Sequence, residues 1–410
     1  MNQRLLLLGA VACGALFCAL FVFQPGFDNN FVPEDVPLLE DAIPAHGASG
    51  ILATRWIEPF NRPLSQLAFW CEFRLFGFDS GRYVMTNTLI HVVNAVLLAW
   101  LLVGPLGLQA AAVAGLLFAL GLGFYGKAVL TASNVPDLLA TTFALATGIV
   151  ARQSQLARLP QQRAGWMTIA GGLYALALAS KETGIMAMVM VGGLLWPHRR
   201  SLGSVIRKIS VLVTICIAYL AFQFVGSSGI AQVVRDPGAW LALPLRALRL
   251  ATYMTIPVMP DPQLMAAGET LLGRGVALLD QVRPVLGLVI LALAALWFVR
   301  GSGAARWLLI SYLGFLLPFG LIHLPEEPID LQHAYLPATC FCGLMAYGLR
   351  ALWMRSGRGR QVLLSILVFV GLAADVMLVR RLEWTAQTLG ENPENRARIE
   401  ALSSPILPPP

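Results

Sequence analysis

Acids are missing from five stretches of this chain that are rich in bases. Segments 1–4, 152–163, 199–208, 300–306 and 350–360 together hold fourteen Lys and Arg and no Asp or Glu. All 22 acids fall in the stretches that alternate with these, or at a span edge facing them. Charge is scarce altogether, with 12% of residues charged against 57% hydrophobic. Mean hydropathy is +0.70. Apolar runs repeated along a chain are transmembrane helices, not a soluble core. Cysteine is scarce too. Five of the six, Cys13, Cys18, Cys216, Cys340 and Cys342, lie in apolar runs and only Cys71 lies outside. That excludes a disulfide framework and a zinc spacing. A Gly-rich phosphate loop, a DxD pair, HExxH and a Ser-nucleophile motif are absent, which excludes a nucleotide site of Rossmann type. The net charge of +7 is accounted for by the basic segments, so it does not indicate nucleic acid as a partner.

Eleven apolar spans are present, roughly 5–23, 83–103, 109–125, 137–151, 165–180, 183–197, 209–226, 283–299, 307–323, 336–352 and 361–379. Leu5–Phe23 reads as the first transmembrane helix and a signal anchor, because it lacks an A-x-A site and many spans follow. Basic loops stay cytoplasmic. The expectation is therefore an all-α polytopic protein of a bacterial inner membrane, with a cytoplasmic N-terminus and a periplasmic C-terminus. A transmembrane domain of residues 1–379 carries external loops at 25–82 and 227–282, and 380–410 forms a short extracytoplasmic tail. Within the first loop, Pro63–Phe76 has apolar residues at helical spacing and reads as an interfacial helix. Trp240–Ile256 carries Arg246 and Arg249 and reads as interfacial or re-entrant.

Length settles one local question. Gly165–Pro197 would be about 50 Å long as a single helix, too long for hydrocarbon of about 30 Å. Both flanks are basic, so the stretch must cross twice and turn outside at Ser180-Lys181-Glu182. Charges at that depth are costly and are either paired or functional.

The polar residues at the acidic end are the candidates for chemistry. Glu34 and Asp35 follow the first span closely, and one carboxylate beside a like charge or an apolar wall can act as a general base. A solvated loop acid is the bland alternative. Asp137 opens the fourth span, where a carboxylate is often a helix-dipole partner. Lys181 can neutralise a phosphate or pair with Glu182 or Asp137. Arg62, Arg74 and Arg82 can bind a phosphate or pair with first-loop acids. Asn87, His91 and Asn94 share one helix face, an arrangement that more often serves interhelical hydrogen bonds than ligands. His333 and Tyr335 open the tenth span from outside, where Tyr is ordinarily an interface anchor.

Several motifs together resemble the GT-C membrane glycosyltransferases, in particular the protein O-mannosyltransferase-like branch and its tetratricopeptide-bearing relatives. They are Asn61-Arg-Pro-Leu-Ser65, Leu75-Phe-Gly-Phe78, Tyr83-x-x-Thr-Asn87-x-x-x-His91-x-x-Asn94, Asn134-Val-Pro-Asp137, Ala179-Ser-Lys-Glu-Thr-Gly184 and Ala334-Tyr-Leu-Pro337. The tail Asn392-Pro-Glu-Asn395 resembles the point where those relatives begin their repeats.

The resemblance implies a GT-C-like fold and transfer of a monosaccharide from a polyprenyl-phosphate donor. The acceptor hydroxyl would belong to an exported protein such as a pilin, or to an envelope glycan or lipid. Glu34-Asp35 stands where the family has its acidic pair, one member of which deprotonates the acceptor; Asp28 is the reserve. Lys181 matches a family lysine that would contact the donor phosphate or sugar, with Glu182, Asp137, Arg62, His91, His333 and Tyr335 around it. The chemistry requires no cofactor, and it would admit a divalent metal. Where many relatives carry a His and a Glu, this chain has Phe124-Tyr-Gly-Lys127, and near the tenth span it has Leu331-Gln332-His333 in place of an acidic-Arg pair. Those departures suit a donor other than mannose. Two other classes compete. A lipid-linked glycan polymerase or ligase would place its key residues in a late external loop. A transporter or flippase would show inverted repeats.

Overall fold

The computed structural model describes residues 3–43, 62–120, 126–195, 202–226, 298–322, 331–362 and 390–403, with scattered positions between them. The described elements are helical. Besides the short helices Lys127–Leu130 and Leu202–Lys208 and several 3-10 turns, they are α1 (Gln3–Phe23), α2 (Val36–Ala42), α3 (Pro63–Phe76), α4 (Ser80–Leu106), α5 (Leu108–Ala119), α6 (Val135–Leu156), α7 (Pro160–Ser180), α8 (Ala187–Leu194), α9 (Ser210–Gly226), α10 (Gly303–Ile322), α11 (Tyr335–Arg355) and α12 (Pro393–Ser403). Among the described residues, Leu8–Asp28, Ser80–Leu106 and Ala132–Leu156 are each long and apolar enough to cross a membrane. Shorter apolar helices cover 108–119, 182–194, 210–223 and 303–316. Large apolar side chains such as Phe17, Phe21, Trp100, Ile217, Phe222 and Leu352 stand exposed on the outside, as a lipid-facing surface requires. The fold class is thus all-α and polytopic. The stretch Trp240–Ile256, most of the loop 227–282 and much of the spans at 283–299 and 361–379 lie outside the described residues.

Small residues let the helices approach closely. A methyl at Gly115 in α5 would stand 2.9 Å from the Ala95 carbonyl oxygen of α4. A methyl at Gly81, in the first turn of α4, would overlap the carbonyl of Phe27. That contact seats the 3-10 turn Gln24–Asp28 directly on α4, so the chain leaving α1 enters the first loop in a fixed direction.

The polar stripe of α4 does what its spacing predicts. Asn87 Nδ2 donates to Thr131 O at 2.9 Å and Asn94 Nδ2 donates to Leu138 O at 3.0 Å. His91 Nε2 lies 3.3 Å from Ala119 O, and His91 Nδ1 lies 2.7 Å from Tyr335 Oη. Asn94 Nδ2 also reaches Tyr335 Oη at 3.2 Å. The self-consistent assignment has Tyr335 O–H donating to His91 Nδ1 and His91 Nε2–H donating to Ala119 O. Ala119 ends α5 and Thr131 follows a short helix, so α4 supplies donors to carbonyls that helix ends leave unsatisfied. Buried amide and imidazole groups thereby bind five segments of the bundle together.

The two ends of the bundle differ in charge. Arg152 Nη1 donates to Leu101 O at 3.4 Å, Arg350 donates to Leu106 O, and Gln155 Nε2 donates to Leu194 O at 3.2 Å. Those contacts bring the basic segments 152–163 and 350–360 to one end, beside the end of α4. The segments at 28–43, 62–80, 127–137, 181–182, 331–335 and 390–403 meet at the other end, through contacts described below. This is the alternation of ends that the charge pattern requires of successive crossings.

Two expected local features are present. The interfacial helix is α3, which begins on Pro63, where a missing N–H costs nothing. The long run 165–197 is broken after Ser180. Lys181 is extended at φ −158° and ψ 146°, and a 3-10 turn Glu182–Met186 leads into α8.

The tail is more than a tail. Residues 393–403 form α12, which packs on α2, and Ile399 and Leu402 join the cluster of Phe31, Leu38, Leu39, Ala42, Phe69, Tyr83 and Ala132. No periodicity in 380–410, read from sequence as a short extracytoplasmic tail, marks these contacts, because the partner residues lie more than 260 positions away.

Candidate functional site

The first-loop carboxylates separate sharply. After the 3-10 turn the chain runs through Asn29–Val32, held where Ser80 Oγ donates to Asn29 O. The turn 32–35 closes with Asp35 N–H donating to Val32 O at 2.9 Å, and α2 starts on Pro37 in its first turn. Asp35, preceding α2, is 2% exposed. Its Oδ2 accepts from Val32 N–H at 3.0 Å and its Oδ1 from Ser133 N–H at 2.7 Å. Glu34 points outward and pairs with Lys127 at 3.0 Å, with both side chains substantially exposed. Asp28 is exposed at the end of the 3-10 turn.

Burial pushes the Asp35 carboxyl up to about 6, and the adjacent Glu34 charge adds a little, while the two backbone N–H donors pull the other way. A carboxylate anchored through both oxygens is a positioned acceptor of a proton near neutral pH. Beneath the same aromatic cluster lies a second buried carboxyl, Glu72 on α3, pushed by burial up to about 8. It shares a face of α3 with Ser65, Gln66 and Phe69.

A second group forms where α3, α6 and α7 meet. The Arg62 guanidinium donates in bidentate fashion to Glu182, at 2.9 and 2.8 Å. Lys181 Nζ donates to Asp137 Oδ2 at 2.6 Å, and both side chains are 4% exposed. His333 Nδ1 lies 3.4 Å from Lys181 Nζ. Ser65 Oγ donates to Ser180 O at 2.8 Å and ties α3 to the end of α7. Five of the residues singled out from sequence are thus one cluster drawn from four segments. Its two cations and two carboxylates balance. Burial of unbalanced charge would be expensive, so the pairing is what allows these groups to sit at this depth.

The two groups are joined by one short segment. Ser133, whose N–H holds Asp35, is four residues before Asp137, which holds Lys181. Residues 131–137 therefore carry Asp35 on one side and the ion-pair cluster on the other. His91 and Tyr335 lie together inside the bundle, in the hydrogen-bonded network of α4; Tyr335 is two residues from His333. Arg82 pairs with Asp79 at 2.8 Å on the exposed surface and Arg74 stacks over Trp70, so neither joins the cluster. Among the described residues no three His, Cys, Asp or Glu side chains converge as metal ligands.

Sequence reasoning missed three contributors. Ser133 holds Asp35 through its backbone N–H and its hydroxyl, a contact set by the fold and not by any residue-type pattern. Lys127 was visible only as a departure from relatives. Asn395, whose Nδ2 donates to Phe31 O at 2.6 Å, sits in the supposed tail.

Residues 59–223 match the family model described as dolichyl-phosphate-mannose-protein mannosyltransferase. That stretch holds α3 to α8, most of α9, and both halves of the Arg62–Glu182 and Lys181–Asp137 pairs. No curated protein matches the chain. Among solved structures the chain is similar to the oligosaccharyltransferase of Archaeoglobus fulgidus in complex with an inhibitory peptide and a dolichol-phosphate. The TM-score is 0.53 at 13% identity, covering 93% of this chain and 56% of that one. The same archaeal enzyme tethered to an acceptor peptide gives a TM-score of 0.51 at 12% identity, covering 98% of this chain and 59% of that one. A third similar structure is ArnT from Cupriavidus metallidurans, with a TM-score of 0.46 at 14% identity, covering 94% and 76% of the two chains. The chain thus spans little more than half the length of the archaeal enzyme. The resemblance read from the motifs holds: the chain has the fold of the GT-C membrane glycosyltransferases.

Proposed function

We propose that this protein is an integral membrane glycosyltransferase that moves a monosaccharide from a polyprenyl-phosphate donor to an acceptor hydroxyl. The observation that carries the reading is the pairing of Asp35 with the Lys181 cluster across residues 131–137. A positioned, buried carboxylate with a raised pKa stands next to a segment that also carries buried cations. In this mechanism Asp35 takes the proton of the acceptor hydroxyl. The acceptor oxygen forms a bond to the anomeric carbon as the bond from that carbon to the phosphate oxygen breaks. The electron pair leaves on polyprenyl phosphate, and Lys181 and Arg62 stabilise the charge that develops there. A single displacement of this kind inverts the anomeric centre.

Lys181 has three N–H groups, of which Asp137 and His333 occupy two, so one remains to meet a phosphate oxygen. The fold relative that was solved with dolichol-phosphate and a peptide carries the pair of ligands this reading calls for. The acceptor class is an exported protein, or an envelope glycan or lipid.

The sidedness follows from the basic segments, which stay cytoplasmic and put the Asp35 end in the periplasm. Cysteine labelling checks it. In a Cys71→Ser background, Glu34→Cys should react with a membrane-impermeant thiol reagent on intact cells, and Arg355→Cys should not. Both positions are exposed on the protein, so access is set by the membrane alone. The reverse pattern would invert the topology. Position 34 is the correct probe because Asp35 is buried.

The test of the reaction is a transfer assay with purified protein and a panel of short-chain polyprenyl-phosphate sugars, with envelope extract as acceptor. Release of polyprenyl phosphate is followed by mass spectrometry, with Asp35→Asn as control. Release that depends on Asp35 supports the reading and names the sugar. No release from any donor would favour a polymerase or a transporter.

A further inference from the structure

We propose that Asn395, on the C-terminal helix α12, is a positioning residue for Asp35 and acts on it through a single peptide plane. This rests on the reading of Asp35 as the base. The peptide between Phe31 and Val32 is held at both ends. Its carbonyl accepts from Asn395 Nδ2 at 2.6 Å, and its N–H donates to Asp35 Oδ2 at 3.0 Å. In a planar trans peptide the C=O and N–H point in opposite directions. Turning this plane to satisfy one partner therefore aims it at the other. The amide–peptide–carboxylate chain also polarises cooperatively in a buried setting. Asn395 is itself only 4% exposed, so its amide has no competing water.

The rest of α12 keeps that amide in place. Ile399 and Leu402 pack on the Phe31, Leu38 and Leu39 cluster, and Arg398 pairs with Glu40 at 2.7 Å on the exposed rim. Gly390 lies against Asn30, where an added methyl would stand 3.0 Å from its carbonyl oxygen. The last of the described helices is in this way fastened to the first loop, at residues 30, 31 and 40, immediately around the acidic pair. Among the described residues the principal helix contact of α12 is with α2, the helix that follows Asp35. Its influence should therefore fall on the acceptor proton and not on donor binding.

Asn395→Asp in the full-length protein keeps the size of the side chain and replaces the donor with a like-polarity acceptor. Losing a buried hydrogen bond in the reacting state corresponds to about a tenfold fall in kcat, with donor KM within roughly twofold of wild type. The acid limb of the pH–rate profile should move to higher pH, because a loosened Val32 N–H stabilises the Asp35 carboxylate less. Arg398→Ala, which removes only the exposed rim pair, should leave kcat and the acid limb unchanged. Asn395→Leu, close in size, uncharged and without a donor, serves as the second variant if Asp impairs folding, and the same fall in kcat and shift of the acid limb are expected of it.

Hydrogen exchange supplies a readout independent of turnover. The peptide spanning 31–36 should lose protection in Asn395→Asp while peptides from α4 and α6 keep theirs. Wild-type kcat, acid limb and exchange in Asn395→Asp, with Asp35→Asn inactive, would overturn this inference alone. Activity that survives Asp35→Asn would instead overturn the base assignment.

Discussion

Asp35→Asn should lower transfer by about two to four orders of magnitude, the usual contribution of a positioned general base. The substitution keeps shape and burial but cannot take up a proton. Its amide can still accept one of the two backbone N–H groups, while its NH2 faces the other, at a cost of about 1–3 kcal/mol for the group left unpaired. Yield and melting temperature in detergent therefore have to be measured beside the rate, and the rate should fall far more than a stability loss of that size explains. The pH dependence adds a second check. The base must be ionised, so wild-type activity should decline as pH falls through about 6. Stability should respond in the opposite sense. The carboxyl titrates above its ordinary value because burial disfavours the charge. Its contribution to stability is therefore fully present below the unfolded-state value of 3.8 and is lost as pH rises through about 6. Asp35 should thus make the protein more stable and less active on mild acidification. Asp35→Asn should flatten both dependences. An acid limb that persists unchanged in an active Asp35→Asn protein would remove Asp35 from the mechanism. Glu34→Gln serves as the contrast: its side chain is exposed and paired with Lys127, so it should alter the rate by no more than a few fold.

Lys181→Met should have the second-largest effect, and on stability first. It leaves Asp137 buried without its partner, and breaking a buried ion pair from one side typically costs about 3–5 kcal/mol. The double variant Lys181→Met with Asp137→Asn removes both charges and should regain most of the lost thermal stability. Activity should not return with it. If Lys181 meets the donor phosphate, the double variant remains defective in donor use, with the acceptor dependence little changed. A well-folded double variant with wild-type donor affinity would reduce Lys181 to a structural ion-pair partner. The comparison matters because the cluster is electrically balanced in the absence of donor. Structural pairing and phosphate binding predict the same loss in the single variant and differ only in the double.

The sequence by itself determined the class of this protein and singled out the charged residues at membrane depth, but not their pairing: Arg62, expected on a phosphate or a first-loop acid, meets Glu182 instead. Apolar runs separated by loops of unmixed charge admit only crossing helices, because hydrocarbon tolerates neither unpaired backbone nor free charge. The same penalty made Lys181, Glu182 and Asp137 legible, since charges at membrane depth must be paired or used. The length of 165–197 and its two basic flanks demanded the break at Lys181, and the spacing of Asn87, His91 and Asn94 announced the network of α4. What only the tertiary structure decided was the division of labour within Glu34-Asp35. Adjacent residues in a turn point in different directions, and which of them is buried depends on Ser133, about a hundred residues away, offering a backbone N–H. The role of Asn395 was equally out of reach. Its donor meets a carbonyl more than 360 positions distant, and neither the residue type nor any periodicity marks a contact that exists only when the last helix folds back on the first loop.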